Sequence, residues 1–458
     1  MKATWGTVGV AVLLFSVLPA EAIATTPAYR TLPIPASISP SVNTIACIST
    51  ISCFVGGGYL VGKKINAYNK ATYQNAFIMS ETNGKWGNPI KVPGLPQEPA
   101  GTWGFSEVQQ IVCPTKSYCY ASGVFANFES RNTNVNSFFI SEHNSVWGKV
   151  RILQNFFEQS LVCPVQGSCM LGGSNSVVTF SGGAISSPIL LPPASDGTGV
   201  SSVSSISCVE GLNCAIVGTL NSQAAYVSDY TGGAFTQIST PLGLDPTGDY
   251  GSGANGVTCV SAGNCTAVGT YYNSDAGMYQ PFVVTEQNYV WGAVADVPNV
   301  QVLEGSSHPS IGGGGATNIW CSDPANCVTL GTFPSGNTAF QKEVFISEEI
   351  DGVWQDAQTI PSLLAVNTGQ SDGVTALQCI STQNCLVGGF YEPTSTGMKP
   401  YFIVRANDIW KKIVLPTSHG NYMSALSVIG IGCSSQNFCT VLGINDANKY
   451  FYSQVSIY

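Results

Sequence analysis

An all-β fold made of eight repeats is what this sequence predicts, and three observations predict it. Its sixteen cysteines fall into eight pairs, each with five residues between the partners. The same aliphatic and glycine positions recur around every pair. Only 9% of the residues are charged while glycine (50) and small polar residues abound. That composition suits short strands and polar turns rather than long helices, which draw on Ala, Leu, Glu and Lys.

The pairs are Cys47/Cys53, Cys113/Cys119, Cys163/Cys169, Cys208/Cys214, Cys259/Cys265, Cys321/Cys327, Cys379/Cys385 and Cys433/Cys439, with none left over. In an exported chain this indicates a disulfide framework. Zinc knuckles use shorter cysteine spacings with a second pair or histidines nearby. The three histidines, His143, His308 and His419, cannot complete eight such sites. No metal and no cofactor are expected. First cysteines of successive pairs lie between 45 and 66 residues apart, the period of propellers and solenoids.

Two residues before each first cysteine stands an aliphatic: Ile45, Ile111, Leu161, Ile206, Val257, Ile319, Leu377 and Ile431. Four residues after each second cysteine stands a glycine: Gly57, Gly123, Gly173, Gly218, Gly269, Gly331, Gly389 and Gly443. Even offsets put these residues on the strand face of the sulfur, so aliphatic and cysteine point into the layer between repeats. The glycine marks a close approach of backbone. A five-residue connection is an allowed hairpin, and facing residues of an antiparallel pair lie within disulfide reach.

The fifth repeat shows the whole unit. Gly256 to Cys259 and Cys265 to Tyr271 read as the first two strands, Pro281 to Thr285 as the third, and Trp291 to Val297 as the fourth. Four short strands per repeat, taken eight times, predict an eight-bladed β-propeller of four-stranded antiparallel blades. The expected blades are 42–94, 106–154, 158–193, 202–243, 253–298, 314–361, 373–416 and 424–458 plus 28–36. The last repeat runs out of chain after its third strand. Tyr29 to Pro35 matches the fourth strand Trp410 to Pro416 in length, leading aromatic and closing aliphatic-Pro. The N-terminal strand is therefore expected to complete the last blade and close the ring, which protects sheet edges.

Lys2, the apolar run Val8 to Leu18 and the small-residue sites Ala20-Glu21-Ala22 and Ala22-Ile23-Ala24 read as a cleaved signal peptide over 1–24. The apolar run is shorter than the ~20 residues needed to span a bilayer. The expected mature chain, 25–458, is a single propeller domain, secreted or periplasmic, with no membrane span. A net charge of −9 without any Lys/Arg cluster excludes a nucleic-acid or anionic-membrane surface.

The repeat text, such as Val257-Thr-Cys-Val-Ser-Ala-Gly-Asn-Cys-Thr-Ala-Val-Gly-Thr, resembles the Cys-hairpin repeats of secreted bacterial β-propeller proteins over nearly the whole mature chain. The turn with Ser80, Asn83, Gly84 and Trp86 is distantly similar to the Asp-box of sialidase-like propellers, one residue shorter and without the Asp. The first resemblance implies fold and export, and neither implies a defined activity.

Strand order places the Cys hairpins and the Trp turns on one uniform face, and the 2–3 and inter-blade loops on the other, which varies. An aromatic stands six residues after the second cysteine in five repeats (Tyr59, Phe125, Tyr271, Phe333, Tyr391). Inter-blade packing is its expected role, with a ring of sugar-stacking platforms the alternative. Candidate ligand residues on the variable face are Trp103, Asp249, Tyr250, Tyr272, His308, Glu392, His419 and Tyr422. A sialidase-type arginine cluster is missing, since Arg30, Arg131, Arg151 and Arg405 do not converge. No Gly-x-Ser-x-Gly elbow exists, so no catalytic residue is assigned. The expectation is an exported non-catalytic binding protein for a glycan or a cell-surface protein. The alternative is a carbohydrate-active enzyme using two of the loop carboxylates Asp245, Asp249, Glu304, Asp372 and Glu392, most of them expected to be solvated turn acids. Asp245 and Asp249 also offer a weak Ca²⁺ reading.

Overall fold

A computed structural model of the chain describes residues 30–456 apart from 36–39, 62–72, 97–103, 128–133, 195–196, 222, 237, 245–250, 305–313, 336–340, 361–362, 364–371, 393–397, 407–408, 414–426, 436–437 and 445–448. The signal segment 1–24 lies outside the described residues. So do Trp103, Arg131, Asp245, Asp249, Tyr250, His308, His419 and Tyr422.

Each cysteine pair opens an antiparallel unit of the kind the repeat predicts, and together the units make a β-propeller. In the fifth repeat the strands Ser252–Ser261, Asn264–Asn273 and Met278–Gln287 pair in chain order, and a short outer strand follows. That outer strand is split into Val290–Trp291 and Ala295–Asp296, both paired with the third strand. The split follows from one recurring bond, in which the residue after the turn aromatic donates to the third strand. Gly87 N to Ser80 O (2.9 Å), Gly148 N to Ser141 O (2.9 Å) and Gly292 N to Thr285 O (3.0 Å) are examples. The seventh repeat keeps one unbroken outer strand, Ile409–Ile413. A two-residue parallel contact, Tyr73↔Gly104 and Gln74↔Phe105, joins the first two repeats into one larger sheet. Gln74 Nε2 supports that contact by donating to Ser41 Oγ (2.8 Å) and Glu107 Oε2 (3.1 Å).

All eight disulfides close within their own repeat, with Cα atoms 3.9–4.1 Å apart. They join Cys47 to Cys53, Cys113 to Cys119, Cys163 to Cys169, Cys208 to Cys214, Cys259 to Cys265, Cys321 to Cys327, Cys379 to Cys385 and Cys433 to Cys439. In six repeats the cysteines are direct ladder partners. The two exceptions carry Pro114 or Pro164 after the first cysteine, and there the register shifts around the pair. Proline has no N–H to give the ladder.

The hairpins turn at the uniform face, yet their cysteines are core residues rather than surface groups of that face. Every second cysteine is buried: Cys53, Cys119, Cys169, Cys214, Cys265, Cys327, Cys385 and Cys439. Of the first cysteines, Cys47, Cys163, Cys321 and Cys379 are buried, and Cys113, Cys208, Cys259 and Cys433 are half-buried. The reason is that the second strand lies between the first and third, with the preceding repeat stacked against it. Cys119 shares a core cluster with Phe54, Cys169 with Tyr120, Cys214 with Met170 and Cys385 with Val328, each partner from the repeat before. Cys327 Sγ likewise lies 3.8 Å from Thr266 Oγ1 of the fifth repeat. Burial shields these sulfurs from attacking thiols, whose rate depends on access.

The glycine after each hairpin approaches backbone as expected, but that backbone belongs to its own first strand. A Cβ on Gly331 would stand 2.1 Å from Gly315 O, and one on Gly57 1.9 Å from Ser41 O. A β-bulge in every first strand, such as the shift between Ala316 and Asn318, drives the carbonyl there. The space is shared with an aromatic of the third strand. Gly57 faces Phe77, Gly123 Phe138, Gly218 Tyr226, Gly269 Phe282, Gly331 Phe345, Gly389 Tyr401 and Gly443 Phe451. These rings are among the most buried side chains, and they cover the strand where glycine leaves it bare.

The bulged residue itself reaches the next repeat. Asn43 Nδ2 donates to Val108 O (2.9 Å), Asn255 Nδ2 to Ala316 O (2.9 Å) and Thr375 Oγ1 to Val428 O (2.6 Å). The turn tryptophans tie repeats together at the other side of the unit. Trp147 meets Phe54 edge-on at 5.7 Å, and Trp86 meets Tyr452 at 5.6 Å. The N-terminal strand Arg30–Thr31 pairs antiparallel with Tyr450–Ser456 through Arg30↔Tyr452 and Thr31↔Phe451. Leu32 follows it into a core shared with Val42, Cys53 and Leu442.

Candidate functional site

The second and third strands of the fifth repeat run beyond the sheet as a protruding hairpin at the variable face. Tyr272 and Tyr279 are direct cross-strand partners there, and Asn273 faces Met278. The tip is fixed by its own polar atoms. Asn273 Oδ1 accepts from Asp275 N (3.0 Å) and Ala276 N (3.1 Å), and Gly277 N donates to Asn273 O (2.8 Å). Gly277 sits at φ +70°, a left-handed conformation that glycine adopts without a Cβ penalty. The two tyrosine rings meet edge to face at 5.4 Å and 77°, both half-buried.

Both flanks of this hairpin are tethered. Tyr272 N donates to Gly251 O (3.3 Å), and Gly314 N donates to Tyr279 O (3.2 Å). At its base Tyr271 OH donates to Asp296 Oδ1 (2.5 Å) and receives Asn273 Nδ2 (3.2 Å). Burial, with the Asp296 carboxylate next to it, pushes the Tyr271 phenol well above its ordinary range. Tyr271 is therefore a structural prop, while Tyr272 and Tyr279 form a half-buried pair of rings packed on each other.

Of the eight expected ligand residues, the structure describes Tyr272 and Glu392. Glu392 lies half-buried just past the strand Asn384–Tyr391. Two of the acids expected to be solvated are not. Glu304 ends the helix Val300–Glu304 at 3% exposure and accepts from Gln280 Nε2 (3.2 Å); burial pushes its carboxyl up to about 7. Asp372 opens its strand at 4% exposure. In the third repeat Glu158 takes a bond from Ser122 Oγ of the second, and burial pushes it up to about 8. These carboxyls occupy packing positions between strands, which answers the expectation of free loop acids.

The aromatics six residues after the second cysteine pack as expected. Phe125, Phe333 and Tyr391 are buried, and Tyr59 and Tyr271 lie half-buried on core clusters. They form no ring of open platforms.

One set of residues escaped sequence reasoning. Glu81, Glu142, Glu286 and Glu349 stand opposite Trp86, Trp147, Trp291 and Trp354 at the uniform face, and Arg405 stands opposite Trp410. The four glutamates are buried, and burial raises the carboxyl of each. The signal was present as an acid or Arg405 five residues before every turn tryptophan. Arg405 makes the one ion pair among the described residues, to Glu348 (2.6 Å), and donates to Thr382 O (2.7 Å).

No protein-family description matches the chain, and no curated protein matches it in sequence. Among solved structures it is similar to Sqt1 of Chaetomium thermophilum, crystallised with the N-terminus of ribosomal protein L10, at 13% identity and a TM-score of 0.51 over 92% of this chain and 98% of that one. It is also similar to the β-propeller domain of the Trilobed protease from Pyrococcus furiosus, at 11% identity and a TM-score of 0.40 over 74% of this chain and 91% of that one. The NanB sialidase of Streptococcus pneumoniae matches at 11% identity and a TM-score of 0.35, over 93% of this chain and 70% of that one. Likeness at this level speaks to fold alone.

Proposed function

We propose that this chain is an exported, non-catalytic binding protein that holds a glycan or a cell-surface protein on its variable-loop face. The observation that carries the reading is the tethered hairpin that presents Tyr272 and Tyr279 as a fixed aromatic pair. Aromatic rings with few rotatable bonds give large contact area at low ordering cost, for sugar faces and peptide side chains alike. Export is supported by eight disulfides, each within one repeat. The resemblance to secreted bacterial propellers points the same way, with secretion or a periplasmic location to match.

The scaffold in this proposal is an eight-bladed ring whose last blade takes its outer strand from the N-terminus. The pairing of Arg30–Thr31 with Tyr450–Ser456 supports it, as does Leu32 N donating to Tyr450 O (2.9 Å). The packing of Trp86 on Tyr452 joins the first repeat to the last. Loop residues Trp103, Asp249, Tyr250, His308, Glu392, His419 and Tyr422 complete the proposed binding face.

Glycan-array and pull-down screening of the oxidised protein tests this. The expected result is a ligand whose retention falls at least tenfold in Tyr272→Ala and in Tyr279→Ala, while thermal unfolding stays within a few degrees of wild type. Turnover of a polysaccharide panel with no ligand in either screen contradicts it.

A further inference from the structure

Two carboxyls from different repeats meet in the interior at the boundary between the fourth and fifth repeats. Asp229, on the third strand of the fourth repeat (Ala224–Thr231), is 6% exposed; Glu286, on Met278–Gln287, is 0% exposed. Glu286 stands across the ladder from Trp291, whose indole reaches Asp229, so the two carboxyls adjoin one ring and interact with each other. Trp291 Nε1 donates to Asp229 Oδ2 (3.3 Å), so the indole of the fifth repeat is already spent on the fourth. The backbone of Asp229 is occupied by Thr236, whose Oγ1 accepts from Asp229 N (2.8 Å). Neither oxygen of Glu286 receives a bond from another donor. No Lys, Arg or His faces the pair among the described residues, whose one ion pair is Arg405 with Glu348.

Two adjoining buried carboxyls without a cation cannot both ionise cheaply. Holding one proton, Glu286 donates its O–H toward Asp229 and the contact joins the two repeats. Losing it, two anions face each other in a dry boundary. We propose that Asp229 and Glu286 form a proton-dependent clasp between the fourth and fifth repeats, closed in acid and neutral conditions and weakened in mild alkali. The reading is independent of any ligand on the variable face.

The direction follows from proton uptake. Burial, with Asp229 alongside, pushes Glu286 up to about 8, above its ordinary 4.5. Between those values the folded chain binds more protons than the unfolded one, so stability is greatest below the lower value and falls as pH rises through the upper. Glu158, Glu304 and Glu349 are raised in the same sense. Wild-type unfolding therefore carries a composite slope, and the clasp supplies one proton of it.

Equilibrium unfolding of the oxidised full chain, measured from pH 5 to pH 9 for wild type, Glu286→Gln and Asp229→Asn, isolates that proton. Wild type should weaken as pH rises. Glu286→Gln should lose up to about a tenfold change in unfolding constant per pH unit relative to wild type, the slope of a single proton, and Asp229→Asn should lose part of it, because Glu286 stays buried there without its neighbouring anion. Infrared absorption of protonated carboxyl groups, recorded on folded protein at pH 7, should be smaller in Glu286→Gln than in wild type. A folded variant with the wild-type slope, or with an undiminished carboxyl band, overturns the clasp. Failure of Glu286→Gln to fold at pH 5 also overturns it, because the amide there replaces the group the clasp requires to be uncharged.

Discussion

Phe345→Ala is expected to lower stability by about 3–5 kcal/mol, the cost of emptying a fully buried aromatic site. Phe345 is 0% exposed and lies directly across the ladder from Gly331. Gly331→Ala attacks the same point from the other side. Its Cβ would stand 2.1 Å from Gly315 O and 2.6 Å from the Phe345 ring. Overpacking a filled core costs about 1–3 kcal/mol, and more where the obstacle is backbone. The double variant separates the two contacts. Removing the ring leaves the carbonyl in place, so Phe345→Ala does not rescue Gly331→Ala. Gly199→Ala is the control, since nothing lies within 4 Å of its added Cβ, and a stability change within about 0.5 kcal/mol is expected there. Denaturant unfolding of the four proteins checks the set. Recovery of stability in the double variant would show that the ring alone, not the bulged first strand, makes glycine necessary.

The second large effect concerns the joining of the chain's ends. Leu32 is 3% exposed and sits between residues of the first and last repeats. Leu32→Ala is expected to cost about 2–5 kcal/mol. Deleting residues 30–35 should do more, because it strips the partner from Tyr450–Ser456 and leaves a bare sheet edge. Thermal unfolding with light scattering reads both consequences, a lower melting temperature and earlier aggregation. A deletion variant that melts and scatters like wild type would show that the N-terminal strand is an ornament rather than a closure.

What the sequence made legible was local. A cysteine pair with its aliphatic and glycine lies within about a dozen residues, and period-two alternation fixes which side chains share a face. The disulfides and the hairpins followed from that, and the N-terminal strand's partner from the likeness of Tyr29 to Pro35 to the outer strand that the last repeat lacks. The contacts that hold repeats to one another are not local. That Trp86 rests on Tyr452, or that Asn255 reaches Ala316 O, depends on how sheets stack, and no spacing encodes it directly. The Glu-to-Trp interval of five was in plain view, yet a charged residue beside a turn reads as solvated until the neighbouring repeat covers it. The same bias turned Glu304 and Asp372 into loop acids, when both are buried.

The candidate site was less legible than the fold for a related reason. Tyr272 was singled out as a loop aromatic, but its partner Tyr279 was not, because the hairpin was expected to end near Tyr271. The strands continue to Asn273 and resume at Met278, so the two tyrosines become ladder partners. The Asn273 turn with Gly277 was the available signal. An asparagine followed at short range by glycine between β-prone residues marks a tight reversal.

Each repeat is a self-contained hairpin unit stapled by its own disulfide, and the propeller is built from that unit. Mass spectrometry after digestion without reduction tests this most directly. Eight linkages are expected, each joining cysteines six apart in the chain, from Cys47–Cys53 to Cys433–Cys439. A single linkage between cysteines of different repeats would contradict the unit and the propeller built from it.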